Sequence, residues 1–326
     1  MTTQWNHKIA SASSQNFEAL ALEAFRYQYA NVQVYKAYVD ALGVNPENVK
    51  SVSQIPFLPI QFFKLAKVVD GNFEPEQVFE SSATTGMTVS NHLVRDISLY
   101  EQSFLKGFES VFGAPSNYCI IGLLPSYLER KASSLVYMVD KLIQKSGYAE
   151  SGFYLNDWEK LTGTLDRLEK REQPTILIGV TFALLELAER FPMPLHRTII
   201  VETGGMKGRG REMVKQELHD LLKQAFSVDS IWAEYGMTEL LSQAWSKGNG
   251  IYSCPTWMKA VLREEEDPLT IKWEGVGALN IIDLANIHSC CFIATDDAGR
   301  IHQDGQFEIL GRMDGSDLRG CSLLVV

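Results

Sequence analysis

A run of hydroxyl side chains near residue 80 is the first stretch of this sequence that could do chemistry. The stretch FESSATTGMTVSN (79–91) places Ser81, Ser82, Thr84 and Thr85 ahead of Gly86. Hydroxyl groups and the backbone N–H groups of such a loop bind phosphate well. The chain contains no G-x-x-x-x-G-K-[ST] phosphate loop. The stretch is therefore a candidate phosphate site, and the alternative is an ordinary polar turn.

A second candidate is WAEYGMTELLS (232–242), where a predicted strand runs into Tyr235 and Gly236 and a helix is predicted to follow. Ligand groups lie at such strand ends in α/β proteins. Thr238 could offer a hydroxyl to phosphate, Glu239 a carboxylate to hydrated magnesium, and Tyr235 a ring face to a base. The alternative is a plain helix start, with Thr238 as the cap and Glu239 favouring the helix dipole.

The third candidate is FIATDDAGRIHQDGQFEILGRMD (292–314). Asp296 and Asp297 are expected to follow a strand, where they could accept hydrogen bonds from a ribose diol. Arg312, just after Gly311, could reach the sugar or a phosphate. The alternative is a pair of hairpins with solvated Asp and Arg side chains.

The elements that must position these residues alternate over the middle of the chain. Strands are predicted at 117–125, 174–180, 197–205 and 228–236, and helices at 127–147, 157–172, 181–191 and 211–226. Asp157 is the expected N-cap of the second of these helices. Alternating short strands and helices indicate parallel α/β layering with ligands at the carboxyl ends of the strands.

The two ends of the chain depart from this alternation. Residues 14–43 are predicted to form one helix that closes on Gly43, and residues 51–64 an extended or loop segment. Beyond about residue 250, short strands separated by Gly and Asp turns are expected. We therefore predict an α/β region over 1–250, with a helical N-terminal segment, and a β-rich subdomain over 251–326 that ends in a short tail.

The composition argues against several classes of partner. The chain has 326 residues and a formal net charge of −10, whereas proteins that bind nucleic acid or a membrane surface are usually basic. The N-terminus is polar, unlike a signal peptide, and no apolar run reaches the roughly 18 residues of a membrane span. We expect a cytoplasmic protein with no nucleic acid partner and no membrane span.

The cysteines are expected to be reduced thiols. Their number is odd and none forms a C-x-x-C pair, so neither disulfides nor a zinc site is expected. The five cysteines are Cys119, Cys254, Cys290, Cys291 and Cys321. The histidines His92, His288 and His302 are expected to be surface or structural residues.

Taken together, the three candidate stretches resemble the motifs of the adenylate-forming superfamily, which includes acyl-CoA synthetases and luciferase-type ligases. SSATTG is similar to its Ser/Thr-rich phosphate loop and YGMTE to its Tyr-Gly-x-Thr-Glu motif. TDDAGR and GRMD resemble its ribose-binding Asp and its Gly-Arg-x-Asp segment. The resemblance implies the large α/β domain of that superfamily, with layered parallel α/β subdomains and a small β-rich subdomain, and the use of ATP and Mg²⁺.

The resemblance also implies a role for each matching residue. The hydroxyl loop would wrap the ATP phosphates, and Tyr235 with Gly236 would lie against adenine. Thr238 would contact phosphate and Glu239 would bind magnesium. A further set would contact the sugar: Asp297 would hold the ribose hydroxyls, with Arg312 nearby. The sequence departs from the family pattern at Ala83 and Asp296, where the family has glycine.

A subgroup of the superfamily fits the end of the sequence. In the full-length ligases a small C-terminal domain follows the Gly-Arg-x-Asp segment, and we expect it to be lacking because the sequence ends at Val326. LPSYLERKASSLVYMV (124–139), ETGGMKGRG (202–210) and RGCSLL (319–324) resemble the acyl-protein synthetases of the LuxE type, which move the acyl group to a cysteine near their C-terminus. Cys321 stands at that position; the alternative is a small buried residue in a last strand.

The resemblance implies ATP-dependent activation of a carboxylic acid, fatty or aryl, as an acyl-adenylate. The acyl group would pass to Cys321 and then to a partner such as an acyl-CoA reductase-like subunit. Two alternatives stay open: a ligase whose acceptor is coenzyme A or an acyl carrier protein, and a non-catalytic nucleotide-binding scaffold. The altered phosphate loop favours the scaffold, whereas the retained Thr238, Glu239, Asp297 and Arg312 argue against it.

Overall fold

The computed structural model describes residues 2–81, 89–125, 131–155, 157–204, 213–264 and 267–313. These residues form two compact units. Unit 1 takes in the described parts of Met1–Phe104, Gly236–Gln243 and Ser253–Ser316, and unit 2 those of Leu105–Tyr235 and Ala244–Tyr252. Within the described residues no helix is both long and apolar enough to cross a membrane.

Helices and strands alternate through the middle of the chain, as the sequence pattern predicts. The α-helices are α1 (Thr2–Ala10), α2 (Phe17–Asn31), α3 (Gln33–Ala41), α4 (Phe62–Leu65), α5 (Ile97–Phe112), α6 (Ser134–Ser146), α7 (Trp158–Lys170), α8 (Thr181–Arg190) and α9 (Lys215–Phe226). The strands are β1 (Leu58–Pro59), β2 (Gln77–Glu80), β3 (Asn91–Val94), β4 (Cys119–Leu123), β5 (Gly152–Phe153), β6 (Thr175–Gly179), β7 (Thr198–Glu202), β8 (Trp232–Tyr235), β9 (Ala244–Ser246), β10 (Ile251–Tyr252), β11 (Met258–Arg263), β12 (Ile271–Lys272), β13 (Gly275–Asp283), β14 (Phe292–Ile301) and β15 (Phe307–Arg312).

Unit 2 is built on a sheet with the strand order β5-β4-β6-β7-β8-β9. Strands β4 to β8 are parallel to one another, and β9 is antiparallel to β8. Strands β4 and β6 are buried along their whole length, which is typical of a parallel sheet covered by helices. The predicted parallel α/β layering is therefore confirmed.

The packing of α7 shows how the sequence produces this layer. Leu161, Leu165 and Leu168 lie on one helix face and join the apolar residues of β4 and β6 in a buried cluster, because residues three and four apart share a helix face. Asp157 caps the helix by accepting the Lys160 N–H at 3.0 Å. The predicted cap is confirmed, and it begins the helix where the apolar face starts.

Unit 1 is built on an antiparallel sheet in which β15, β14, β13, β11 and β12 lie side by side in that order. Strand β1 runs parallel to the start of β14, with Leu58 opposite Ile293. A separate two-stranded hairpin is formed by β2 and β3. The β-rich character predicted for the last part of the sequence thus appears in β11 to β15.

The N-terminal helices belong to unit 1, which differs from the grouping of residues 1–250 drawn from the sequence. The Gln28 side chain on α2 donates to the Asn286 and Ile287 carbonyls at 2.9 and 3.0 Å and accepts the Cys291 N–H at 2.9 Å. The ring of Phe292 stacks on Tyr35 and meets other N-terminal rings edge to face. The Gln28 hydrogen bonds span more than 250 residues of sequence, so local composition does not reveal them.

The single helix predicted over residues 14–43 is two helices. Val32, between α2 and α3, has an extended backbone (φ −99°, ψ 98°) and forms a bridge with Asp70. A β-branched residue accepts this conformation readily, and the bridge supplies the reason for the break. The predicted end is confirmed, because Gly43 follows α3 with φ +68°.

Candidate active site

The turn between β8 and β9 carries Thr238 and Glu239, and the helix predicted to start there does not form. Residues 236–243, all of which the structure describes, contain no helix. The Asp283 carboxylate accepts the Leu241 N–H at 2.8 Å, so this N–H is bound by a side chain instead of by a helical carbonyl. The prediction of a helix start is wrong, since tertiary hydrogen bonds decide the backbone path.

Two more buried side chains bind carbonyl groups of this turn. His92 Nδ1 lies 2.8 Å from the Thr238 carbonyl oxygen. Asn286 Nδ2 donates to the Glu239 carbonyl at 2.7 Å. His92 and Asn286 are 1% and 0% exposed, so water does not compete for these bonds. The backbone of the Thr-Glu turn is therefore fixed by side chains from β3 and from the short 3-10 helix that follows β13.

Burial sets the protonation state of these groups. It lowers the pKa of His92 to about 4, so the ring is neutral at neutral pH. The Thr238 carbonyl can only accept, which places the His92 proton on Nδ1. Burial raises the pKa of Asp283 to about 6, and the hydrogen bonds from Ser242, at 2.6 Å, and Leu241 oppose that rise.

Asp296 and Asp297 lie inside β14 and not after it, which corrects the prediction of a turn at this point. Strand β14 continues because it pairs with β13 on one edge and β15 on the other, with a bulge between Ala298 and Gly299 in the β15 pairing. Arg312 lies opposite Asp297 in that pairing. The two-hairpin alternative is therefore wrong, and one hairpin carries both acids and the arginine.

The three side chains form a compact ionic group. Arg312 Nη2 donates to Asp296 at 2.9 Å, and Arg312 Nε lies 3.8 Å from an Asp297 carboxylate oxygen. Their exposed fractions are 8% for Arg312, 13% for Asp296 and 8% for Asp297. Gln61 also donates to Asp296. Arg312 therefore makes a direct hydrogen bond to Asp296, whereas its contact with Asp297 is an ion pair at a longer distance.

A second arginine fastens the strands beneath this group. Arg263 donates to the Thr295 carbonyl at 2.6 Å and to the Leu279 carbonyl at 2.8 Å. Burial lowers the pKa of Arg263, and the charges of the two neighbouring aspartates on β14 oppose this. The arginine therefore holds β13 and β14 together while it also balances the acidic pair. Sequence reasoning missed Arg263, although a charged residue ending an apolar strand was a signal.

Ser81 closes the hairpin that leads to the hydroxyl loop. Its Oγ accepts the Ser90 N–H at 2.9 Å and its own N–H donates to the Ser90 carbonyl at 3.0 Å. This hydroxyl therefore serves the hairpin. The remaining predicted loop residues lie outside the described part of the chain, as does the predicted acceptor cysteine: Ser82, Thr84, Thr85, Gly86 and Cys321.

Tyr235 ends β8 in unit 2 and is 8% exposed. Its ring meets that of Tyr252 edge to face at 5.9 Å. Lys215, at the start of α9, donates to the Tyr252 hydroxyl, and its Nζ lies 4.0 Å from a Glu202 carboxylate oxygen. Glu202 accepts the Gly204 N–H at 2.6 Å. A buried ionic cluster of Glu202, Lys215 and Tyr252 therefore stands behind the Tyr235 ring.

Sequence reasoning missed this ionic cluster. The signal was a carboxylate at the end of the apolar strand TIIVE, since a charge in such a strand needs a partner. A neighbouring acid, Glu234, has its pKa raised to about 8 by burial and by the charge of Glu202. His219 has its pKa lowered to about 4 by burial and by Lys215. Glu234 and His219 are therefore neutral at neutral pH.

The described residues contain no group of three or more His, Cys, Asp or Glu side chains that could bind a metal ion by themselves. Glu239 lies on the fixed turn and is fully buried. Magnesium bound together with a nucleotide commonly takes one or two carboxylates and completes its shell with phosphates and water. The donor chemistry of Glu239 fits such an ion.

Comparison with known proteins identifies the family. The model of the family described as acyl-protein synthetase, LuxE, matches residues 9–326. A long-chain-fatty-acid–luciferin-component ligase of Aliivibrio fischeri is 23% identical over 331 aligned residues, which cover 94% of this chain and 86% of the ligase.

Solved structures show the same fold at low sequence identity. An open conformation of 2-hydroxyisobutyryl-CoA ligase, in complex with 2-HIB-AMP and CoA, matches with a TM-score of 0.65 and 9% identity, over 94% of this chain and 76% of the ligase. ATP-bound MatB from Rhodopseudomonas palustris matches with a TM-score of 0.53 and 16% identity, over 75% of this chain and 49% of MatB. The predicted adenylate-forming fold is confirmed, and the chain belongs to the LuxE family of acyl-protein synthetases.

Proposed function

We propose that this enzyme activates a fatty acid with ATP as an acyl-adenylate and then transfers the acyl group to Cys321. The observation that carries the proposal is the family match over residues 9–326. The Aliivibrio fischeri relative is named as a ligase of a long-chain fatty acid, which favours a fatty over an aryl substrate. Two features of the structure add support: the ionic group of Asp296, Asp297 and Arg312, and the Thr-Glu turn. Both are held in place by hydrogen bonds, as residues that bind a nucleotide need to be.

In the first step a carboxylate oxygen of the acid attacks the α-phosphorus of ATP. The bond from that phosphorus to the bridging oxygen breaks, and pyrophosphate leaves. In our proposal Asp297 accepts hydrogen bonds from the ribose hydroxyls, Arg312 balances nearby negative charge, and Tyr235 lies against adenine. Thr238, which is partly exposed, donates its hydroxyl to a phosphate oxygen. Fixed donors of this kind stabilise charge that develops on the phosphates.

Glu239 is the residue that would hold magnesium, together with the nucleotide phosphates. The ion would offset the phosphate charge and so lower the cost of bringing a second anion, the carboxylate, to the phosphorus. Because the turn that carries Glu239 is fixed by buried hydrogen bonds, the carboxylate needs little reorganisation on binding. The protein's own contribution to this step is therefore a Glu239 carboxylate whose position is fixed before magnesium binds.

In the second step the Cys321 thiolate attacks the acyl carbon. The bond from that carbon to the phosphate oxygen breaks, AMP leaves, and the thiol proton passes to solvent. Burial raises the pKa of each of the four described cysteines, to about 12 for Cys254 and Cys290 and in the same direction for Cys119 and Cys291. A thiol must ionise to act as a nucleophile. The raised pKa of each thiol argues against these four as acceptors and so supports Cys321.

The thioester on Cys321 keeps the acyl group activated for a further acceptor. A partner that binds this enzyme and reduces the acyl group, such as an acyl-CoA reductase-like subunit, would use it directly. Coenzyme A or an acyl carrier protein would instead take the acyl group onto its own thiol. These acceptors share the same first step, so the two steps must be tested separately.

The test uses a radioactive fatty acid, ATP and magnesium with the wild type and two cysteine variants. Cys321→Ser should keep acid-dependent pyrophosphate exchange and lose covalent labelling of the protein. Cys254→Ser, the matched control at a partly exposed described cysteine, should keep both. Exchange without labelling in the wild type would move the acceptor to an external thiol, and loss of exchange in every protein would contradict the proposal.

A further inference from the structure

We infer that His92, Asp283 and Asn286, here called the clamp, are positioning residues that hold the Thr238–Glu239 turn in its reactive geometry. The inference rests on the proposed function, since it concerns how that reaction is supported. None of the three was singled out for chemistry by the sequence. Each contacts the turn through its backbone and not through the reacting side chains.

The turn needs such support because it belongs to no strand or helix. Residues 236–243 lie in no strand or helix, and among them the Leu240 N–H donates to the Met237 carbonyl at 3.1 Å. Their other buried backbone groups must also be paired. The clamp binds the Thr238 carbonyl, the Glu239 carbonyl and the Leu241 N–H at 2.8, 2.7 and 2.8 Å. The two carbonyls lie before and after the Glu239 side chain, and the first of them directly follows the Thr238 side chain. The clamp therefore fixes the backbone from which both side chains start.

The members of the clamp are also linked to one another. Asp283 accepts the Ala285 N–H at 3.1 Å and thereby caps the short helix Leu284–Asn286. That helix carries Asn286. One carboxylate therefore binds the turn directly and also orients the amide that binds the turn beside it.

His92 joins the turn to a second element of the proposed site. It lies on β3 opposite Phe79 of β2, in the hairpin that Ser81 and Ser90 close. A bond from His92 to the Thr238 carbonyl therefore ties this hairpin to the Thr-Glu turn. The packing of the His92 ring edge to face on Phe63, at 5.6 Å between centroids, fixes its orientation.

The protein keeps Asp283 charged at neutral pH although this costs stability. Burial raises the pKa of this carboxyl to about 6, so the fold favours its protonated form. A neutral residue would avoid that cost, but a carboxylate offers two oxygens that accept from Leu241 and Ser242 together. A buried charge kept at some cost in stability is common at functional sites.

The test compares clamp variants with a buried carboxylate of the same unit. Asn286→Leu and His92→Phe remove one donor each at similar volume. Asp283→Asn turns one of the two oxygens that accept from Leu241 and Ser242 into a donor. Asp70→Asn is the control, because Asp70 is buried and accepts from Tyr27, His288 and Arg95. The readouts are kcat and the KM for the fatty acid in pyrophosphate exchange, together with the thermal midpoint of each protein.

We expect each clamp variant to lose about 10- to 100-fold in kcat with an unchanged KM for the acid. Asp70→Asn should lower the thermal midpoint and leave kcat at the wild-type value when assayed well below that midpoint. Clamp variants with wild-type kcat, or an equal loss in Asp70→Asn, would overturn the inference alone. A wild type without acid-dependent exchange would overturn the proposed function and this inference together.

Discussion

Two of the polar clusters among the described residues, the clamp and the ionic cluster of unit 2, are built in different ways. The clamp in unit 1 binds the peptide groups of a turn, one side chain to one group. The ionic cluster in unit 2 holds a ring, Tyr252, against Tyr235, and its Glu202 also accepts the Gly204 N–H. A strand end needs only its side chain fixed, whereas a turn outside any ladder needs each buried backbone group bound separately.

The largest effect should come from the turn's own carboxylate. Glu239→Gln keeps the shape of the side chain and removes its charge, so we expect acid-dependent pyrophosphate exchange to fall about 100- to 1,000-fold. The initial rate at saturating ATP and magnesium measures this. Glu47→Gln, at an exposed carboxylate of the same unit, should be unaffected; retention of a tenth or more of the activity in Glu239→Gln would show that its charge is not needed.

A second variant breaks the ionic group on β14 and β15. Arg312→Met leaves two mostly buried aspartates side by side, and removal of one partner of a buried ion pair costs about 3 kcal/mol or more. Urea unfolding should show this loss of unfolding free energy. Arg300→Met, at an exposed pair with Glu308, is the control and should change stability by less than about 1 kcal/mol. An equal loss of unfolding free energy in the two variants would mean that the ion pairs of Arg312 are exposed to water in solution.

The ionic cluster of unit 2 should respond through ATP affinity. Lys215→Met removes the ammonium group that donates to the Tyr252 hydroxyl. The Tyr252 ring is then no longer held in its edge-to-face contact with Tyr235. We expect the KM for ATP to rise about tenfold with kcat little changed, and unfolding free energy to fall by about 2 kcal/mol. Lys223→Met on the same helix, whose partner is Asp220, should do neither. A fall in kcat with unchanged KM would contradict our proposal that this cluster positions the Tyr235 ring for adenine.

The smallest effect is a pH dependence of stability from Glu234. Its pKa is raised to about 8 by burial and by Glu202, well above the value in an unfolded chain. The native state therefore holds a proton that the unfolded state has released, and stability falls as the pH rises toward 8. Glu234→Gln should raise the thermal midpoint at about pH 8.5 and change it little at about pH 5. The same gain at both pH values would refute this origin.

The sequence predicts the elements whose signal is local. The buried strands β4 and β6 and the helix α7 with its Asp157 cap follow from apolar patterns and a cap residue. The family follows from motifs that stand together in order. The predictions that are wrong concern backbone that is fixed by residues distant in sequence. The helix break at Val32 depends on Asp70, and the absence of a helix after Thr238 depends on Asp283.

The same reason explains which site residues were missed. His92 and Thr238 are 146 residues apart in sequence, and Glu239 and Asn286 are 47 apart. Nothing in a single sequence marks these as pairs, because a histidine on a strand and an asparagine in a loop are common. Asp297 and Arg312 were predicted as neighbours from their motifs, and the structure brings them into register.

The most direct measurement is intact-mass spectrometry of the wild type after incubation with ATP, magnesium and a long-chain fatty acid, followed by peptide mapping. The account predicts a mass gain of one acyl group that hydroxylamine removes and that maps to Cys321. An acyl group that maps to Cys254 or another cysteine, or pyrophosphate release with no mass gain, would contradict acyl transfer to Cys321.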